Sequence, residues 1–135
     1  MNIQDLALSF FELPSMEGYS ADVQMIPGDV DVIQIILADY EEVPVYISVT
    51  DSQILCITYL WTEDEIDPAR RMELFETLLE MNIPMPLSSF AKVDNRYAVF
   101  GALAMTSSIN EIAHEVVTLM ENAVEALTAL EDYFV

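Results

Sequence analysis

Acidic side chains are the residues of this sequence best suited to chemistry. The run Glu63-Asp64-Glu65, followed by Asp67, places four carboxylates within five positions. Carboxylates support general acid–base catalysis when burial or neighbouring groups drive their pKa values apart. This run lies where the pattern predicts a turn, so we expect it to face water, and it does not match a calcium-binding EF-hand loop. An enzyme or small-ligand site around Glu63, Asp64 and Asp67 is the alternative functional hypothesis.

Other patterns for catalysis or metal binding are incomplete. His114 is the only histidine and Cys56 the only cysteine, whereas a zinc site or a catalytic triad needs further partners. Cys56 lies in an apolar run without a basic neighbour, which predicts a small buried hydrophobe and not a reactive thiol. Gly18, Gly28 and Gly101 are too far apart to form a phosphate-binding loop. We therefore predict no catalytic residues, no metal and no cofactor.

Charge restricts the partners of the chain. The 135 residues include 24 acidic and 4 basic side chains, a net charge of -20, yet 53% are hydrophobic, which excludes a disordered acidic tail. Nucleic-acid binding is excluded because it depends on many Lys and Arg side chains, whereas a basic protein segment would be attracted. The sequence has no apolar run of membrane-spanning length and no basic leader, so we expect no membrane insertion and a cytoplasmic location.

The first half of the chain is predicted to form one helix and four strands. Apolar residues at spacings of three and four predict a helix over residues 3–13. Short runs that are broken at turn signals, and rich in β-branched residues, then predict strands. In the third strand, Val45, Ile47 and Val49 are expected to face the core. The four strands lie around Val23 and Met25 and over Val30–Leu37, Val43–Thr50 and Ile54–Trp61.

The second half is predicted to form two helices and a hairpin. Asp67 and Pro68 suit the start of a helix that ends near Met81-Asn82, with Met72, Phe75, Leu78 and Leu79 on its buried face. The next two strands are Ser89–Val93 and Arg96–Met105. Ser108 and Glu111 fit a capping box, which begins a final helix of about 22 residues and about 33 Å.

The order α-β-β-β-β-α-β-β-α predicts an α+β fold, an antiparallel β-sheet with helices packed on it, in a single domain over residues 1–135. The final helix is longer than much of a domain of this size, so part of its apolar face is available to another chain. Tyr59 and Trp61 are predicted to share one face of the fourth strand, either as core residues or as interface anchors. The candidate partner-binding or dimer surface comprises Tyr59, Trp61, Met120, Leu127 and Leu130.

Three segments carry a resemblance to a known family. These are Pro86–Phe90, the strand Tyr97–Leu103 and Ser107-Ser108 before the final helix. On them, the chain resembles the YjfI-like bacterial family of unknown function. Members tend to be encoded beside a homologue of the phage-shock membrane-stress protein, so the resemblance implies a coiled-coil protein partner and carries over no catalytic residue.

The size, acidity and order of elements are also similar to those of type III secretion chaperones and YbjN-like domains. These are small acidic dimers of α+β fold that bind protein segments, so this likeness implies a type III secretion chaperone-like fold. We therefore predict a non-enzymatic cytoplasmic protein-binding module, chaperone-like or regulatory, that is a homodimer and binds a basic or coiled-coil protein partner. A carrier of divalent cations is a third hypothesis.

Overall fold

The computed structural model describes residues 2–135 and contains the predicted elements in the predicted order. The α+β class is therefore confirmed. Three short 3-10 turns supplement the regular elements, at Glu63–Glu65, Pro68–Arg70 and Glu131–Tyr133. The helices and strands are α1 (Ile3–Glu12), β1 (Ala21–Ile26), β2 (Val32–Leu37), β3 (Val45–Val49), β4 (Ile54–Thr62), α2 (Arg71–Met81), β5 (Ser89–Val93), β6 (Arg96–Leu103) and α3 (Ile109–Ala129).

The six strands form one antiparallel sheet in the order β1-β2-β3-β4-β6-β5. Alternate residues of each strand face α1 and α3, which pack on the same side of the sheet. Val45 and Ile47 are buried on this side as predicted, and Val49 is half-buried. The main core thus lies between one face of the sheet and these two helices.

Local sequence signals account for the helix boundaries. The Ser108 hydroxyl accepts a hydrogen bond from the Glu111 amide at 3.1 Å, and a Glu111 carboxylate oxygen accepts from the Ser108 amide at 3.0 Å. This is the predicted capping box of α3. Asp67 accepts from the Ala69 amide at 3.0 Å, but the segment begins as a 3-10 turn, and α2 starts at Arg71.

The buried face of α2 differs from the prediction. Leu74 and Leu78 are 0% and 7% exposed, whereas Met72 and Leu79 are 68% and 70% exposed. The prediction that Met72 and Leu79 are buried is wrong, because α2 meets the rest of the chain only along one narrow stripe at positions three and four apart. Phe75 and Met81 are half-buried beside this stripe, and only Met72 and Leu79 of the apolar side chains of α2 face solvent.

A second hydrophobic cluster fills the end of the sheet beneath α2. It combines residues of β4, β6, α2 and the end of α3 with the C-terminal segment. The Asp67 amide donates to the Tyr133 carbonyl, and the Val135 amide donates to the Glu65 carbonyl, both at 2.9 Å. These bonds fix the C-terminal residues beside the turn that precedes α2. The buried members of the cluster are Trp61, Ile66, Leu74, Leu78, Tyr97, Ala126 and Leu130.

A β-bulge near the end of β4 determines where its aromatic residues point. Tyr59 pairs with Ala98, but the next pair is Trp61 with Tyr97, so one residue of β4 is left without a partner in the ladder. An extra residue in one strand reverses the alternation of side chains beyond it. Tyr59 and Trp61 therefore lie on opposite faces of the sheet, and the prediction that they share a face is wrong.

Candidate functional site

The candidate site is the face of the sheet opposite the helices, which we call the open face. Both core clusters lie on the helix side, and none of the helices in residues 2–135 packs on the open face. The centre of this face is a shallow concavity of about 470 Å³. Its lining residues are Val32, Tyr46, Ser48, Leu55, Ile57, Tyr59, Val93 and Arg96.

Strand register places the apolar residues of the open face in rows across the sheet. Tyr46 pairs with Ile57, and Ile57 pairs with Phe100. The rings of Tyr46 and Tyr59 lie 6.1 Å apart at an angle of 51°. The Arg96 guanidinium lies 3.6 Å from the centre of the Tyr59 ring, a cation–π contact. The face thus presents aromatic and aliphatic side chains held by regular β-structure.

The open face also differs from the rest of the molecule in charge. Arg96 is the one charged residue among the eight that line the concavity, in a chain with 24 acidic side chains. The surfaces of soluble proteins are ordinarily rich in charge, whereas the centres of protein–protein interfaces are poor in charged residues and rich in aromatic ones. The open face has the composition of an interface centre.

The five residues that the sequence predicts as a partner-binding or dimer surface do not form one surface in the structure. Tyr59 lies half-buried on the open face, and Leu127 lies half-buried against both core clusters. Trp61, Met120 and Leu130 are only 4%, 1% and 2% exposed. These three side chains contribute to the core of the chain itself, which corrects their assignment to an exposed surface.

Trp61 has an aromatic environment inside the second cluster. Its ring stacks on Tyr97, with 5.7 Å between the ring centres and 21° between the planes, and it lies 4.7 Å from the ring of Phe134. Its buried indole N–H has no hydrogen-bond partner within the described residues. The bulge therefore turns Trp61 into a core residue that holds the C-terminal segment.

Glu63, from the alternative acidic site, belongs to an ion-pair network. Both of its oxygens accept from Arg71, at 2.8 and 3.1 Å, and Oε1 also accepts from the Tyr97 hydroxyl at 2.8 Å. Lys92 Nζ lies 3.9 Å from the same oxygen. The bonds from Arg71 and then from Tyr97 lower the pKa of Glu63 to about 2. Glu63 stays ionised at neutral pH, so it cannot act as a general acid there.

The other two residues of that hypothesis also have local structural partners. Asp64 accepts from the Thr62 hydroxyl, and Asp67 caps the turn before α2 through the Ala69 amide. A paired carboxylate of this kind fixes the backbone without reaching toward a substrate. The geometry therefore favours structural roles for Glu63, Asp64 and Asp67 over catalysis or ligand binding.

One buried carboxyl group was not expected from the sequence. Glu115 of α3 is 4% exposed, and its Oε1 has no hydrogen-bond partner among residues 2–135. Burial raises the pKa of Glu115. Oε1 lies so close to Gly101 of β6 that a Cβ atom at position 101 would overlap it. The position of Glu115 between Ile112 and Leu119 on the apolar stripe is the signal that could have revealed its burial.

The remaining chemistry-bearing side chains are isolated from one another. Cys56 is buried as predicted, and burial, followed by the charge of Glu115, raises the pKa of its thiol to about 12. His114 is exposed, with Nδ1 2.9 Å from a carboxylate oxygen of Glu17. Within residues 2–135, no three His, Cys, Asp or Glu side chains are grouped to hold a metal ion. None of the helices there combines the length and apolar character needed to cross a membrane.

Comparison with known sequences identifies the family. A family described as "Uncharacterized protein conserved in bacteria (DUF2170)" matches residues 1–134. The chain belongs to the DUF2170 family. A DUF2170 relative, the uncharacterized protein YjfI of Escherichia coli strain K12, is 30% identical over 99 residues, which cover 70% of this chain and 73% of YjfI. YjfI of E. coli O157:H7 matches to the same extent.

Two solved structures share the fold of this DUF2170 protein. A chain of the heterodimeric complex ExoU–SpcU, from the type III secretion system of Pseudomonas aeruginosa, superposes with a TM-score of 0.55 at 10% identity. That match covers 93% of this chain and 95% of the other. YbjN from E. coli superposes with a TM-score of 0.56 at 14% identity, over 79% of this chain and 83% of YbjN. The predicted type III secretion chaperone-like fold is therefore confirmed.

Proposed function

We propose that the protein is a non-enzymatic protein-binding module, chaperone-like or regulatory, that acts as a homodimer in the cytoplasm. The observation that carries the proposal is the open face, whose concavity is lined by apolar and aromatic residues with Arg96 as the one charge. The ExoU–SpcU structure supports it in a general way, because that fold neighbour is part of a complex between two proteins.

Charge favours a second copy of the chain as the occupant of the open face. Two molecules that each carry a net charge of -20 repel one another wherever their acidic side chains meet. The centre of the open face presents no carboxylate to a facing copy. Two sheets stacked face to face, about 10 Å apart, would interdigitate Tyr46, Ile57 and Tyr59 with their counterparts. The acidic side chains would then remain outside the centre of the interface.

Measurement of the mass in solution tests this proposal. Light scattering after size exclusion should give about twice the monomer mass of 15.2 kDa. The substitution Ile57→Glu places a carboxylate between Tyr46 and Phe100 on the open face, and it should give a monomer that keeps its circular dichroism spectrum. Leu79→Glu makes the same chemical change at an exposed position of α2 and should leave the dimer intact. A monomeric wild-type protein, or a dimer lost only in Leu79→Glu, would contradict the proposal.

The open face does not identify the other protein that the proposed dimer binds. The coiled-coil partner implied by the YjfI-like resemblance, and its link to a phage-shock-like protein, stay predictions from the sequence. A basic partner segment likewise stays a prediction from the net charge of the sequence.

A further inference from the structure

The C-terminal half of α3 forms a ridge between two concavities, which together we call the α3 groove. One concavity, of about 440 Å³, lies on the side of Tyr19 and Tyr40. The other, of about 220 Å³, lies beneath the segment from Met81 to Pro86. Glu125 and Ala129 line both of them. The further lining residues are Met120, Glu121, Val124 and Thr128 on the first side, and Pro84, Met85, Asn122 and Ala126 on the second.

We infer that the α3 groove binds a basic amphipathic segment of a partner protein, with arginine side chains in the two concavities and apolar side chains against Val124 and Met85. This inference names the partner class of the proposed protein-binding function. It does not depend on the open face being the dimer surface, because the two surfaces lie on opposite sides of the sheet.

Carboxylates on the ridge have no cation of their own. Glu121 and Glu125 are exposed, lie four residues apart on one helix face, and form no ion pair within residues 2–135. Like charges at this spacing destabilise a helix, and a cation bound between them removes that repulsion. The last turn of α3 also contains no basic residue to offset the partial negative charge of the helix C-terminus. The two carboxylates and the C-terminus of α3 thus place negative charge on the same part of the surface.

The aromatic wall of the groove favours arginine over other cations. The Tyr19 and Tyr40 rings are 5.8 Å apart in an edge-to-face arrangement. A planar guanidinium can stack on a tyrosine ring while it forms hydrogen bonds to a carboxylate. The chain already uses this geometry elsewhere, since Arg70 lies 4.2 Å from the centre of the Tyr133 ring and pairs with Glu73. Burial and the charge of Glu121 raise the pKa of Tyr19, as expected beside an unneutralised carboxylate.

Asn122, in the second concavity, also favours a ligand that donates hydrogen bonds. Asn122 is 8% exposed, and its amide nitrogen donates to the Pro86 carbonyl and the Ser88 hydroxyl at 2.9 and 3.0 Å. Both N–H groups are therefore used, which leaves the side-chain oxygen as an acceptor in a concavity that otherwise contains Glu125 and apolar residues. The second concavity therefore offers side-chain acceptors without a free side-chain donor, and it suits a ligand that donates hydrogen bonds.

The test uses the full chain and a fluorescein-labelled synthetic peptide. The peptide has roughly 16 residues, with Arg along one face of a helix and Leu and Ala along the other, and its control replaces each Arg with citrulline. Anisotropy titrations at about 0.15 M salt should show binding of the Arg peptide alone. Glu121→Gln with Glu125→Gln should weaken binding about tenfold, since it removes two partly exposed ion pairs worth about threefold each.

A matched variant separates the groove from general attraction by charge. Glu76→Gln with Glu80→Gln removes the same two charges at the same spacing from the exposed side of α2, and it should change the affinity less than about twofold. Ala129→Trp fills the ridge between the concavities and should abolish binding. The amide NMR signals of residues 120–129 and 81–83 and of Met85 should shift on titration with the Arg peptide.

Several outcomes would overturn the inference. These are equal losses in the two double variants, equal binding of the citrulline peptide, or amide shifts outside the groove. Spermine is the remaining probe. If it binds as tightly as the peptide, and if the Glu121→Gln, Glu125→Gln variant loses affinity for it to the same extent, the ligand of the groove is a small polycation and not a partner segment. The Glu121→Gln, Glu125→Gln protein should keep the mass of the wild type in light scattering. Peptide binding by a monomeric protein would refute only the dimer, and a dimer that binds no peptide would refute only the groove.

Discussion

Gly101 is the position where the smallest change should have the largest structural effect. A Cβ atom at this site would overlap Glu115 Oε1 and lie 2.8 Å from the Leu87 carbonyl oxygen. Ordinary contacts of a Cβ atom begin near 3.4 Å. Gly101→Ala therefore forces the Glu115 side chain out of its site and also pushes on the backbone at Leu87. One added methyl group must displace a buried side chain and a neighbouring segment together.

The cost follows from overpacking. Extra methyl groups in a filled core cost about 1–3 kcal/mol, and backbone contact places Gly101→Ala at the upper end of that range. We expect a loss of about 3 kcal/mol in the free energy of unfolding, and a melting temperature lower by about 10 °C. Urea unfolding followed by circular dichroism measures the first quantity, and a thermal scan measures the second.

A double-mutant cycle tests the stated cause. Glu115→Ala removes the carboxyl group but leaves the Leu87 carbonyl, so it should partly rescue Gly101→Ala, with a coupling of about 1 kcal/mol or more. Gly28→Ala is the matched control, because the nearest atom to its new Cβ is 3.5 Å away, and it should change stability by less than about 0.5 kcal/mol. If Gly101→Ala is as stable as Gly28→Ala, or if its effect simply adds to that of Glu115→Ala, the reasoning is refuted.

Two further predictions concern the dependence of stability on pH. The pKa of Glu63 is about 2 in the folded chain and 4.5 ordinarily, so its stabilisation is present above pH 4.5 and is lost as the pH falls toward 2. Glu63→Gln should therefore lower stability at neutral pH by about 1 kcal/mol, since the pair is partly exposed, and flatten the loss in acid. The pKa of Glu115 is raised by burial, so its contribution is complete below pH 4.5 and is lost as the pH rises through the folded-state value. Glu115→Gln should remove this loss of stability at rising pH. Urea unfolding at a series of pH values measures the effects of both Glu63→Gln and Glu115→Gln. If either variant has the same pH profile of stability as the wild type, the corresponding prediction is contradicted.

Local sequence signals were sufficient to predict the helices and strands and their order. They were not sufficient to predict which side of every helix and strand is buried. The caps at Asp67 and Ser108 and the alternation of Val45 and Ile47 depend on neighbours in sequence, so they were predictable. The direction of Trp61 depends on a bulge in the pairing of β4 with β6, and nothing in the alternation of β4 marks the extra residue. The face of α2 depends on where the preceding 3-10 turn ends, which is decided by tertiary packing.

The candidate site was predictable only in part for a related reason. Tyr59 lies on the open face beside Tyr46. The alternation of Val45 and Ile47 places Tyr46 away from the core, which by itself does not distinguish solvent from a partner. The scarcity of charge at the centre of the open face becomes visible only when the register brings Tyr46, Ile57 and Phe100 into one row. Glu115 is the opposite case, because a charged residue is ordinarily expected to be exposed but this one is buried. The space that it occupies exists because Gly101 has no side chain.

The net charge and the apolar faces act together in the proposed function. An uncovered apolar sheet face on a neutral protein promotes association in many orientations, which is an aggregation hazard. In a chain with a net charge of -20, every orientation that brings acidic turns together is penalised, so the proposed dimer would associate through the open face alone. The same charge would attract the proposed cationic segment to the α3 groove, where Glu121 and Glu125 form no ion pair within residues 2–135. Charge thus selects the orientation and the sign of the partner, whereas the free energy of binding comes from the apolar and aromatic side chains.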